Sequence, residues 1–323
     1  MPCSWTFLNI LKKTPSSQTA KIEVSQARIR RLKFFDHCFV VVGLLSLMVG
    51  LLTLLALMID LAIDGVPRLS WHFFVSYPSR FAEEAGILSA WVGTTLVMLV
   101  TAGAAVPLGV AAGIYLEEYA PKNWLTDLIE INIANLAGVP SIVYGLMALG
   151  IFVYQLGLGL SIATAGLTLG LLILPIVIMA TREAIRAIPV GIREAAYAVG
   201  ASKWQVVQDH VLPYSFGGIL TGVIIGLSRA IGESAPLLTI GALTFIAFLP
   251  DAPVQPTFPF LSFQWLLSPF TVMPIQMFNW VSRPQPEFQL NAAAAGLVLM
   301  VMTLAMNGAA IYVRYRFRKK IQW

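Results

Sequence analysis

Charge is what this sequence has least of. Asp, Glu, Lys and Arg together make up 11% of its 323 residues, against 58% apolar residues. A soluble globular domain carries roughly 25% charged residues, so a water-soluble fold is excluded. The scarcity is also uneven. Six apolar runs, at 38–59, 87–115, 131–154, 158–180, 216–249 and 292–313, lack Lys, Arg, Asp and Glu except for the fifth. Each reaches the roughly 20 residues that a helix needs to cross a hydrocarbon core. The expected fold is therefore all-α, a polytopic membrane protein with six transmembrane helices and no separate soluble domain.

Other absences narrow the chemistry. There are two cysteines, Cys3 and Cys38, too few and too poorly placed for a disulfide framework or a metal site. The three histidines, His37, His72 and His210, are scattered and build no H-E-x-x-H. No G-x-x-x-x-G-K-[ST] phosphate cradle occurs: beyond Lys33 the lysines are Lys122, Lys203, Lys319 and Lys320, none after a glycine-rich turn. No Ser/His/Asp order stands out in the loops. Catalytic residues, metal ligands and a bound cofactor are thus expected to be absent, which argues against an ATPase or a membrane hydrolase. Met1–Leu11 has no basic n-region before an apolar stretch, so no cleavable signal is expected.

The charges that remain report topology. Residues 1–37 hold seven Lys/Arg, 314–320 hold five and loop 181–215 holds four. The alternate loops 60–86, 155–157 and 250–291 hold two, none and one. The positive-inside rule places both termini and loop 181–215 in the cytoplasm. Loop 116–130 shares that side by parity, although Lys122 stands against Glu117, Glu118, Asp127 and Glu130. The domain reading is a basic cytoplasmic arm, irregular or lying on the surface (1–37), a six-helix membrane domain (38–318) and a short cytoplasmic tail end (319–323). Pro107 and Pro140 read as kinks within spans. Trp265 and Trp280 read as interfacial belt residues, with Phe260 and Phe263 beside them in the belt or on a docking surface.

One polar island interrupts the apolar pattern. Residues 189–213 end in EAAYAVGASKWQVVQDHVLP, whose grammar is two short helices. Pro189 suits the first residue of one helix, and Gly200 its left-handed end. Ser202 with Gln205 forms a capping box that opens the second helix, and Leu212-Pro213 stops it. Ala195, Ala196, Ala198 and Ala201 keep the segment slim enough to enter a groove. A DNA-binding helix-turn-helix is disfavoured, since 182–215 balances four Lys/Arg with three Asp/Glu. No nucleic-acid partner is expected. Glu194, Ala195, Ala196, Gly200, Leu212 and Pro213 resemble the EAA loop of ATP-binding-cassette importer permeases. In that family the loop docks on a separate ATPase.

The fifth run carries the other anomaly, Arg229 and Glu233. Counted from Phe216 at about 1.5 Å per residue, they lie ~20 and ~25 Å along the helix. Burying such charges costs about 2.5–3.5 kcal/mol each on insertion scales, so they must face protein or water. At i and i+4 they share a helix face and can pair. Two readings stand: a brace to a neighbouring helix, or an anion path in which Arg229 attracts and Glu233 neutralises or accepts a proton-bearing anion. The run, 34 residues, would be about 51 Å as one helix, and Pro236 denies the Gly232 carbonyl its donor. A break at 232–236 is expected, with a second short helix turning its N–H groups toward the path.

The block RAIGESAPLL at 229–238, LAGVPSIVYGL at 136–146 and PFTVMPIQMFNW at 269–280 closely resemble the phosphate importer permeases of the high-affinity Pst system, and among them the PstA-type subunits. The resemblance covers 38–318 and implies a type I, MetI-like importer fold in the cytoplasmic (inner) membrane. It further implies phosphate as substrate, passing Arg229 and Glu233. The implied partners are a second, PstC-like permease subunit, PstB-like ATPase subunits holding the Mg-ATP, an extracytoplasmic PstS-like phosphate-binding protein and membrane lipids. A carboxylate at 233 suits phosphate, which keeps a proton, better than sulfate. An ion-coupled secondary transporter is the competing reading and needs more intramembrane carboxylates than Glu233. A membrane enzyme is a distant third.

Overall fold

The computed structural model describes residues 17–252 and 262–318. The arm's first half, Phe260 with the proline-rich stretch around it, and the tail end 319–323 lie outside the described residues. All regular structure among the described residues is helical. The chain divides into two units, Met1–Asp60 and Leu61–Trp323.

Helix α1 (Ser17–Gly65) fills nearly all of the described part of the first unit. It starts 21 residues before position 38, so the second half of the basic arm is helical and not irregular. The apolar run that follows has no glycine pair or proline to stop propagation upstream, and the arm's Ala, Lys, Glu, Gln and Arg residues are good helix formers.

The second unit holds α2 (Trp71–Val75), α3 (Leu88–Ile114), α4 (Trp124–Leu136), α5 (Ser141–Ala148), α6 (Ile162–Arg186), α7 (Val190–Ala198), α8 (Lys203–Gln205), α9 (Leu212–Ile231), α10 (Ala235–Thr239), α11 (Met273–Val281) and α12 (Glu287–Arg318). Helix α6 is the central member, with α3 on one side and α9 on the other. Small residues let these helices approach closely, as is general where no water drives association. A Cβ on Gly109 would stand 2.7 Å from Val177, and one on Gly166 2.5 Å from Val100. On α9, a Cβ on Gly222 would overlap the Ala180 side chain. One buried hydroxyl bridges the α3–α6 seam: Thr101 Oγ1 donates to Gly166 O at 3.1 Å.

Among the described residues, five helices are long and apolar enough to span a membrane, and a sixth span exists there only as a bent pair. The third expected span is that pair, α4 and the helix Ser141–Gln155, which meet at 105°. Pro140 is therefore no kink. It is the N-cap of α5, with φ −54 and ψ 135, and a proline drives the residue before it out of helical geometry. Pro107, by contrast, lies within the continuous helix α3.

Two tryptophans assigned to the membrane interface are buried instead, Trp280 at 0% and Trp265 at 6% exposure. Gln276, also buried, accepts from Trp280 Nε1 at 3.0 Å and donates to Thr244 O at 3.3 Å. That buried partner removes the reason for the indole to seek the headgroup region. Phe263 is exposed, as expected of a belt residue.

Candidate functional site

The fifth span breaks where the sequence predicts. Helix α9 ends at Ile231, and α10 starts at Ala235 after three intervening residues. Arg229 occupies the last turn of α9, where a cation complements the helix dipole. Glu233 lies just beyond the end. Arg229 Nε meets Glu233 Oε1 at 3.3 Å, and the two side chains remain 40% and 20% exposed. The adjacent Ser228 turns the other way, its Oγ 2.6 Å from Asn307 Oδ1 on α12. One side of this turn thus braces α9 on α12, while the charged side stays open.

The break is held from outside by α5. Gly145 sits so close to α10 that a Cβ there would lie 2.7 Å from the Pro236 backbone and would overlap the Thr239 side chain. Two interrupted helices, α4/α5 and α9/α10, therefore meet at Gly145 and Pro236. Tyr144 fixes the first of them, donating to Leu136 O across the bend at 2.8 Å.

The polar island forms the second site. Gly200 has φ +88, the left-handed geometry that ends α7. Ser202 and Gln205 make the capping box that opens α8, with Ser202 N donating to Gln205 Oε1 at 2.8 Å. Two details differ from expectation. Pro189 is the N-cap of α7 and not its first residue. Leu212-Pro213 does not stop the second helix, which continues from Lys203 to Ile231 as one span. The turn Val206–Val211 is π-helical; this wider turn makes room for the Pro213 ring, which lacks an N–H and would clash in a regular helix.

Of the alanines, Ala196 is buried in a small core with Ile185, Ile188, Val206 and Val211. Glu194, Ala195 and Ala198 are exposed. Around them Val190, Tyr197, Val199 and Trp204 also stand exposed, Val199 at 85%. This is an apolar face on an otherwise polar segment.

Sequence reasoning did not find what anchors the segment. Glu117 and Glu118, on the π-helical turn Tyr115–Tyr119 that ends α3, reach three arginines. Glu117 binds Arg186 at 2.9 Å and stands 3.6 Å from the buried Arg182, which also pairs with Glu130 of α4. Glu118 binds Arg193 of α7 at 2.8 Å. The signal was in the sequence: an acidic loop with a lone lysine, facing a loop in which Arg186 alone among the basic residues has an acid at helical spacing, Glu183.

These features define a class of protein: a polytopic helical membrane protein with an apolar-faced polar segment between two spans and a charged break in one span. Residues 105–321 match the family described as binding-protein-dependent transport system inner membrane component. The chain belongs to that family, the permeases of ABC transporters, and so is a transport subunit and not an enzyme. As a member it works with an ATPase and a substrate-binding protein. Among its relatives are a probable ABC transporter permease protein of Bacillus subtilis, YqgI, 32% identical over 80% of this chain and 88% of the relative. The phosphate transport system permease protein PstA of Haemophilus influenzae is 32% identical over 90% and 98%, and PstA of Yersinia pestis 31% over 87% and 89%. The fold is that of the MetNI methionine ABC transporter in an inward-facing conformation, at TM-score 0.53 and 18% identity, covering 70% of this chain and 94% of that one.

Proposed function

We propose that this chain is the PstA-type permease subunit of an ATP-driven inorganic phosphate importer. The observation that carries the reading is the open Arg229–Glu233 pair at a broken span, in a chain about 30% identical to PstA proteins over most of its length. A guanidinium in a low-dielectric path attracts an anion strongly, and Glu233 releases it when phosphate arrives. Sulfate, fully ionised, meets Glu233 as a repelling charge.

Residues 189–213 dock on a PstB-like ATPase, which holds the Mg-ATP; the exposed Val190, Tyr197, Val199 and Trp204 support this, since an apolar patch on a polar segment marks a contact surface. The remaining partners are a PstC-like permease and a PstS-like phosphate-binding protein. Both termini and the docking segment lie in the cytoplasm. The ion pairs between loop 116–130 and Arg182, Arg186 and Arg193 support the shared side.

The test is uptake of labelled phosphate into proteoliposomes holding this chain, the second permease and the ATPase, with binding protein added outside. Uptake is expected only with internal ATP, uninhibited by excess sulfate. Uptake driven by an ion gradient without ATP, or equal uptake of sulfate, overturns the proposal.

A further inference from the structure

The π-helical turn at the end of α3 presents three consecutive side chains to three different elements. Glu117 reaches Arg182 and Arg186 of α6. Glu118 reaches Arg193 of α7. The Tyr119 ring lies 4.9 Å from Lys203 Nζ at the start of α8. π-turns occur often at functional sites.

Arg193 is the most connected of these groups. Its Nε and Nη2 donate to Glu118 Oε1 at 3.0 and 2.8 Å, and it also donates to Ile188 O at 2.9 Å and Ile185 O at 3.0 Å. Ile185 lies in the last turn of α6, where its carbonyl also accepts from Ile188 N at 3.2 Å, and Ile188 lies in the connection from α6 to α7. One guanidinium therefore joins α3, α6 and α7. Glu118 is 8% exposed and Arg193 17%, so solvent screens the pair little. Its fork geometry is one a lysine cannot reproduce.

We propose that Glu118 and Arg193 are positioning residues that lock helix α7 to the ends of α3 and α6, so that displacement of α7 is delivered to the spans as movement of one body. The inference rests on residues 189–213 being the ATPase-coupling segment. Neither residue touches substrate or nucleotide. Without the lock, the ATPase still docks on the exposed face of α7, but α7 moves against α3 instead of with it. ATP is then hydrolysed with little phosphate moved.

The experiment uses the assembled complex in proteoliposomes, with Glu118→Gln, Arg193→Gln and the double variant. Three quantities are read: co-purification of the ATPase, ATP hydrolysis, and phosphate taken up per ATP. Co-purification and basal hydrolysis are expected near wild type, with uptake per ATP lowered at least about tenfold in each. The double variant should be no worse than the worse single one, since both remove the same link. Wild-type uptake per ATP in both single variants overturns the proposal. So does loss of ATPase binding in parallel with uptake, which makes the pair a brace for the docking surface only. If Glu118→Gln does not assemble, Glu118→Asp, which keeps the charge and shortens the reach, is read against the same outcomes. Gly200→Val separates the two readings. If it leaves ATPase binding and uptake intact, the coupling assignment of 189–213 is wrong. If it uncouples while the Glu118 and Arg193 variants behave as wild type, only the lock is wrong.

Discussion

At the scale of single residues, the proposed anion path is tested by which charge is exposed. Arg229 is the more open of its pair, and in the proposed path it is the group a passing anion would meet first. Arg229→Gln should reduce phosphate uptake at least about a hundredfold while the subunits still co-purify. Glu233→Gln should cost far less, because an amide oxygen still accepts a hydrogen bond from a protonated phosphate. Wild-type uptake by Arg229→Gln at matched expression would leave the pair as a structural brace. Gly200 is set by backbone geometry alone. Its φ of +88 is closed to a β-branched side chain, and nothing stands within 4 Å of a Cβ there. Gly200→Val therefore tests conformation without a steric clash, at a cost of about 1–3 kcal/mol.

The elements show how interrupted helices are kept in register. Gly145 lets α5 touch α10, and a methyl group there overlaps atoms that cannot all move. Gly145→Ala should destabilise the chain by about 1–3 kcal/mol, read as a lower melting temperature in detergent. Uptake should fall more than stability suggests, because α10 carries the break next to Glu233. A parallel, small loss of both is the outcome that removes Gly145 from the path. In the docking segment the capping box holds α8 to the turn after α7. Ser202→Ala removes the side-chain acceptor for Gln205 N and should cost about 1 kcal/mol. Hydrogen exchange at residues 202–206 is the measurement, and unchanged protection there would show that tertiary packing of Val206 and Val207 dominates the cap.

For the whole molecule, charge and span count imply one arrangement across the membrane. Ser202→Cys should resist an impermeant thiol reagent added to intact cells and react in inverted vesicles. Gln285→Cys, exposed in the loop before α12, should behave in the opposite way. Labelling of Ser202→Cys from outside contradicts the topology. With the bent pair α4/α5 taken as one span, the described residues hold six, and six spans put both termini on one side.

Hydropathy determined the class of fold and five continuous spans by itself, because a bilayer admits few backbones and each signature is local. The capping box, the left-handed Gly200 and the break before Pro236 were legible for the same reason: each depends on residues within one or two turns. Two features waited for the tertiary structure. Pro140 and Pro213 look alike in sequence, yet one sits at a 105° bend and the other inside a continuous helix, next to a π-turn. The ion pairs of Glu117 and Glu118 join residues 69 and 75 positions apart in the chain. No periodicity encodes such a contact. Only the packing of α3 against α6 brings those charges together, away from enough water to matter.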